Sequence, residues 1–313
     1  MDLFVENLSK RMKGTKPVKK KCSIKTRPIL TRKVHQPKMV NIKNALCLDV
    51  GLRDQKLLTE EVHGVYLPDG TKLNGVDIVP FEFKGEANMA WKELLSLPSY
   101  EDSESIKLEQ ISSLNVNAKW VNGSHPALNY RGNAIKRSKI WLQERSDTFF
   151  RYGYTGWQWK ILYATACLPS GSKNLPCTRH LVQKMQSGPL GCDSNHFIVT
   201  KYETGKDNIG AHSDKTADWH PDSKFKVVKF GAPRRFQICA KDGTVLFDKV
   251  LGTGTSVTMD MVANLATTHS VPIMENIGLS GSIVSRFIKK EIDFAYAKKM
   301  VDKRTSTNLA SKN

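Results

Sequence analysis

A chain of 313 residues with a formal net charge of +18 and a pI near 9.6 has length for one large domain plus extensions, and its basicity favours polyanionic partners over acidic-surface roles. Its six cysteines (Cys22, Cys47, Cys167, Cys177, Cys192, Cys239) contain no C-x-x-C pair, which argues against a zinc framework or a disulfide scaffold. No run approaches the ~18 apolar residues of a membrane span, and Asp2 and Glu6 break the first apolar stretch, so we expect a soluble intracellular protein without signal peptide or membrane contact, in the cytoplasm or nucleus, a viral protein in its host cell included.

Residues 1–46 carry thirteen Lys and Arg against two acids, Asp2 and Glu6, with three prolines and little hydrophobic periodicity. That composition predicts a disordered basic arm that attracts nucleic acid by counterion release; a solubilising or targeting tail, with Lys19-Lys20-Lys21 as a nuclear address, is the plainer reading. Residues 47–75 read as a short strand or hairpin region, completing an arm-and-linker segment over 1–75. From Val76 to Phe83 the pattern is strand-like, and Ala87 to Leu95 is helical with Trp91, Leu94 and Leu95 on one face. Arg137-Ser-Lys-Ile-Trp141 and Arg151-Tyr-Gly-Tyr-Thr-Gly156 then mix cations with rings. Rings stack on bases and cations track phosphates, so Arg151, Tyr152 and Tyr154 are candidate substrate residues, with core packing as the alternative for each ring.

From His196 onward the chain is a series of short strands: His196 to Tyr202, Lys226 to Phe230, Arg235 to Cys239, Thr244 to Phe247, Thr255 to Met261 and Gly281 to Ile288, with Lys241-Asp-Gly243 as a hairpin turn. Such a series predicts a β-sandwich or jelly roll. Past the first of these strands and its turn lies His212-Ser-Asp214, and 55 residues after Asp214 comes His269, at a strand start. Two imidazoles and one carboxylate on a rigid scaffold suit Fe(II) bound on one face with the opposite positions open. Taken singly, His212 reads equally as a surface histidine and His269 as a strand-edge histidine. Asp218 and His220 lie near enough in sequence to be alternative ligands, although Asp218-Trp-His220 fits better as a loop whose Trp219 rims a pocket. His180 and His196 have no partner at ligand spacing. After Ile288, Ile292 to Met300 reads as a short amphipathic helix before a polar tail, giving a C-terminal segment over 291–313.

Five segments in order over roughly residues 120 to 290 resemble the AlkB family of Fe(II)- and 2-oxoglutarate-dependent nucleic-acid dealkylases. They are Arg151-Tyr-Gly-Tyr-Thr-Gly156, Asn195-His-Phe-Ile-Val-Thr-Lys-Tyr202, Asp207-Asn-Ile-Gly-Ala-His-Ser-Asp214, Phe230-Gly-Ala-Pro-Arg-Arg-Phe236 and Thr268-His-Ser-Val-Pro272. The resemblance implies a mainly β (α+β) fold, a double-stranded β-helix (jelly roll) with flanking helices, over 76–290. It implies His212, Asp214 and His269 as catalytic iron ligands, and Tyr202, Thr200 and Arg286 as contacts to 2-oxoglutarate, with an arginine pairing to the distal carboxylate. It further implies consumption of O2 and oxidation of an N-methyl group on RNA or single-stranded DNA, the hydroxylated carbon leaving as formaldehyde. The same triad would equally serve a dioxygenase that hydroxylates a protein or small molecule, and a catalytically silent nucleic-acid-binding scaffold would keep the fold.

Two positions depart from the family pattern. The closing strand of the family carries two arginines six residues apart, whereas here Ser280 stands at the first and Arg286 at the second. Thr200 stands where an asparagine is expected. One carboxylate clamp is therefore missing from its usual place, with Lys201, Lys229 and Arg235 as nearby basic substitutes.

Overall fold

Alternation along His196–Tyr202 sets the architecture, because both faces of this strand are buried by different partners. Phe197 and Val199 pack outward under helices, while Ile198 and Tyr202 face a second sheet. The computed structural model describes residues 64–103, 105–107, 114–115, 117–130, 133–150, 152, 163–168, 175–187 and 191–300. The basic arm over 1–46, residues 47–63, Arg151, Tyr154 and the tail beyond 300 lie outside the described residues.

In chain order the strands are β1 (Val76–Val79), β2 (Asn129–Tyr130), β3 (Asn133–Ala134), β4 (Ser138–Gln143), β5 (Phe149–Phe150), β6 (Thr165–Cys167), β7 (His196–Tyr202), β8 (Ile209–His212), β9 (Lys224–Gly231), β10 (Arg234–Ala240), β11 (Val245–Leu251), β12 (Ser256–Asp260), β13 (Thr267–Val271), β14 (Ser280–Arg286) and β15 (Glu291–Ile292). Helices run over Lys84–Leu95, Pro176–Gln186 and Met261–Ala266. The large sheet has the order β1-β12-β9-β14-β7-β4-β6, antiparallel except at β4–β6, and the small sheet is the antiparallel set β11-β10-β13-β8.

Between the sheets, Ile198, Phe225, Val227 and Val257 of the large one share an apolar cluster with Phe236, Ile238, Leu251 and Val271 of the small one. On the outer face of the large sheet, Trp91 and Leu94 of the first helix and Leu181, Val182 and Met185 of the second cover Phe197, Val199, Val228, Phe230 and Ile283. Each fully buried side chain of this size contributes roughly 1.5–3 kcal/mol of transfer free energy. Two facing antiparallel sheets joined in this order, with helices against one outer face, make a double-stranded β-helix (jelly roll).

Local chemistry places the turns. At the tip between β10 and β11, Gly243 adopts φ +94°, its N–H donates to the Ala240 carbonyl at 3.0 Å, and Asp242 Oδ1 accepts from the Thr244 N–H at 2.9 Å. Two expectations shift. Leu95, expected on the buried face of its helix with Trp91 and Leu94, is 37% exposed at the last helical residue. Ile292, expected in a terminal helix, pairs instead with Phe149 as part of β15, and the helix occupies 294–300. His212, expected past the His196–Tyr202 strand and its turn, lies there as the last residue of β8. Among the described residues no helix is long and apolar enough to cross a membrane.

Candidate metal centre

Antiparallel pairing of β8 with β13 sets His212 directly opposite His269, ring centroids 4.4 Å apart, and a register irregularity follows between His269 and Val271. Asp214 lies two residues past the end of β8. Its backbone is gripped from both sides by one buried side chain, since Asn264 accepts from the Asp214 N–H at 2.8 Å and donates to the Asp214 carbonyl at 2.9 Å. One ligand atom from each of His212, Asp214 and His269 falls within 4.8 Å of the others, the only such grouping of His, Cys, Asp and Glu among the described residues.

The donor chemistry fits a hard-to-borderline divalent cation. Nδ1 of His212 lies 2.9 Å from the Gly210 carbonyl and is the nitrogen that donates to it, which turns Nε2 toward Asp214 Oδ1 at 3.6 Å. His269 is flanked by Phe225 and Phe236 at ring distances of 5.2 and 6.2 Å. Burial pushes its imidazole down to about 4, so it is a neutral ligand at pH 7, and its Nδ1 is buried without a hydrogen-bond partner. Burial alone would raise the Asp214 carboxyl, but Arg286 and the two imidazoles hold it well below the usual carboxylate range. Two imidazole nitrogens and one carboxylate oxygen form the three-ligand face that Fe(II) takes in non-haem oxygenases.

The site opens on a cavity of about 400 Å³ between the sheets. Tyr152, Thr200, Tyr202 and Ser282 line it, as do Arg137, Lys139, Lys215 and Arg286, against Asp214 as the single lining carboxylate. A wall of that sign recruits anions.

The predicted residues take different places around the cavity, and Arg286 is in its lining. Arg286, expected to reach 2-oxoglutarate, donates from Nε (3.0 Å) and a terminal nitrogen (2.6 Å) to Asp214 Oδ2, and its guanidinium lies 4.5 Å from the Tyr152 ring centroid. It is a positioning residue for the carboxylate. Trp219, expected on the pocket rim, is buried against Phe225 and lines no part of the cavity. Asp218 is buried elsewhere and His220 stacks near Phe287, so neither joins the metal group. Thr200 and Tyr202 are in the lining, as is Tyr152. Asn264 had no sequence signal for its position, being one asparagine in a six-residue helix, whereas Lys139 belongs to the cation-and-ring segment Arg137-Ser-Lys-Ile-Trp141 and reaches the cavity through the pleat of β4.

No protein-family model matches the chain, and no curated protein is similar to it in sequence. Among solved structures it is similar to the crystal structure of an oxidoreductase of the 2OG-Fe(II) oxygenase family from Burkholderia pseudomallei, at 11% identity and a TM-score of 0.36, over 68% of this chain and 85% of that one. At that level the likeness decides nothing about chemistry, which rests on the three side chains and the cavity beside them.

Proposed function

We propose that the chain is an Fe(II)- and 2-oxoglutarate-dependent dioxygenase, with residues 76–290 as its catalytic domain, that removes N-alkyl groups from RNA or single-stranded DNA. One observation carries the reading: the two oxygens of Asp214 have different partners, Oδ2 held by Arg286 and Oδ1 turned toward His212 Nε2. A carboxylate so divided presents one fixed oxygen beside two imidazoles, which is what a monodentate facial site requires. Bound by His212, Asp214 and His269, Fe(II) would supply the redox chemistry that couples O2 to decarboxylation of the 2-oxo acid and hydroxylation of an alkyl carbon. This chain's own residues bind and orient: the cationic lining draws in the dicarboxylate, Tyr202 and Thr200 present hydroxyls to it, and the Phe225 and Phe236 rings keep water from His269.

For the substrate, support comes from the sequence: a net charge of +18 and thirteen cations in the first 46 residues favour a polyanion, and the five segments resembling nucleic-acid dealkylases favour a base. Tyr152, which lines the cavity with Arg286 against its ring, is the aromatic we assign to the base. The test is incubation with Fe(II), 2-oxoglutarate, O2 and an N-methylated single-stranded oligonucleotide, tracking succinate and formaldehyde together. Both products, absent in His212→Ala, are expected. Succinate alone would move the substrate to a protein or small molecule, and neither product would leave a nucleic-acid-binding scaffold.

A further inference from the structure

Inward-facing residues of the large sheet lie in transverse rows fixed by strand register. Nearest the metal centre, His196 of β7 pairs with Gln143 of β4 on one side and Arg286 of β14 on the other. Two residues along, Trp141, Ile198, Val284 and Val227 make an apolar row. Two further along, Lys139 pairs with Thr200, Thr200 with Ser282 and Ser282 with Lys229, so a pair of hydroxyls is bracketed by two lysines. At about 6.6 Å between rows, the wall runs from a metal-ligand end through hydrocarbon to a cationic, hydroxyl-bearing end.

Lys229 stands out in that last row. It is 1% exposed, its ammonium has no hydrogen-bond partner, and it lies 5.6 Å from the Tyr202 ring centroid. The Tyr202 hydroxyl is likewise buried without a partner. Arg234, also buried, packs on the same ring at 4.6 Å, its terminal nitrogens donating to the carbonyls of Thr204 (2.9 Å), Gly205 (3.3 Å) and Asp207. Among the described residues no carboxylate forms an ion pair with either cation. Buried cations are retained at high cost unless an anion joins them.

Resting on the iron and 2-oxoglutarate reading above, we propose that Lys229, with the Ser282 and Tyr202 hydroxyls, binds the distal carboxylate of the 2-oxo dicarboxylic acid, replacing the arginine absent at Ser280. Two of the other basic residues near this strand are committed elsewhere, while Lys139 lines the cavity at the opposite end of the same row. Lys201 faces outward over the Trp120 ring and pairs with Glu203 at 2.8 Å, and Arg235 pairs with Asp248. Tyr202 and Ser282 line the cavity, with Lys229 one strand beyond Ser282. The apolar row accepts the methylenes between the two ends of the ligand. A 2-oxo acid without the second carboxylate would leave Lys229 uncompensated, so the site selects dicarboxylates.

The test is anaerobic calorimetry on the full chain loaded with Mn(II), titrating 2-oxoglutarate and 2-oxobutyrate into wild type, Lys229→Met, Lys229→Arg and Lys139→Met, with Mn(II) affinity followed separately by electron paramagnetic resonance. Wild type should prefer 2-oxoglutarate. Lys229→Met should lose roughly 10- to 100-fold in 2-oxoglutarate affinity, with 2-oxobutyrate and Mn(II) binding unchanged, and Lys229→Arg should retain most of the affinity. Undiminished 2-oxoglutarate binding in Lys229→Met, or a loss confined to Lys139→Met, would overturn the assignment. Should wild type bind no Mn(II), the iron reading fails by itself, and the subsite is then decided by glutarate with metal-free protein: thermal stabilisation of wild type but not of Lys229→Met supports it, and equal response overturns it.

Discussion

Arg286 and Asp214, 72 residues apart in sequence, meet through two hydrogen bonds to the same carboxylate oxygen, at 3.0 and 2.6 Å. Both residues are buried. The pairing makes the closing strand β14 part of the metal centre, although every ligand comes from the segments around β8 and β13. Replacing Arg286 with Met leaves the buried carboxylate unpaired and free to rotate. We expect Arg286→Met to weaken Mn(II) or Fe(II) binding roughly 10- to 100-fold, read by metal titration, and to lower stability by about 3 kcal/mol, read by urea unfolding.

Lys229 gives the folded protein a pH dependence with a definite sign. Burial, then Arg234, lowers its ammonium from 10.5 to about 7, while burial pushes the neighbouring Tyr202 hydroxyl up to about 12, so that tyrosine stays neutral throughout. Between pH 7 and 10.5 the unfolded chain holds a proton that the folded chain has released, so stability contributed here rises with pH, and the full cost of the buried charge is present below about 7. Lys229→Met without ligand should therefore be more stable than wild type at pH 6, with the gap closing as pH approaches 10. Urea midpoints at pH 6, 8 and 10 check this, and a pH-independent gap would contradict it.

Much of the scaffold is legible in the sequence because local pattern and burial agree there. His196–Tyr202 has β-branched and aromatic residues across both faces and is found as a strand with those bounds, and Lys241-Asp-Gly243 carries turn chemistry that needs no tertiary help. The grouping of His212, Asp214 and His269 is legible because the chemistry is confined to three residues. The pairing of Arg286 with Asp214 and the burial of Trp219 are not. An arginine between a ligand carboxylate and a cosubstrate is equally plausible from sequence until the β14 register fixes its reach, and an aromatic flanked by Asp218 and His220 looks like a loop residue until a bridge to Ile288 draws it inward. Lys229 could be named as a substitute clamp but not separated from Lys201 and Arg235, since the separation depends on which way each strand's pleat points.

Gly281 marks where the first helix approaches the large sheet. A Cβ there would stand 2.7 Å from the Trp91 ring and 2.7 Å from the Thr200 carbonyl oxygen, and Trp91 is already stacked on Phe230 at 5.3 Å. Gly281→Ala should cost about 2 kcal/mol by overpacking, lowering the urea midpoint, with Trp91 fluorescence following the displaced ring.

The substrate reading makes a prediction about salt. Lys19, Lys20 and Lys21 are three adjacent cations in the basic arm. If they contact phosphates, replacing all three with Gln should make the log Kd against log salt plot for a single-stranded oligonucleotide shallower by about 2, with metal binding unchanged. An unaltered slope would remove these lysines from the nucleic-acid interface.

The most direct measurement is an electron paramagnetic resonance titration of Mn(II) into the anaerobic protein, comparing wild type with Asp214→Ala, His269→Ala and His220→Ala. The geometry predicts one tight site per chain in wild type and in His220→Ala, lost in the other two while their circular dichroism stays that of the folded protein. Tight binding that survives in Asp214→Ala, or disappears in His220→Ala, would contradict the assignment of His212, Asp214 and His269 as the metal centre.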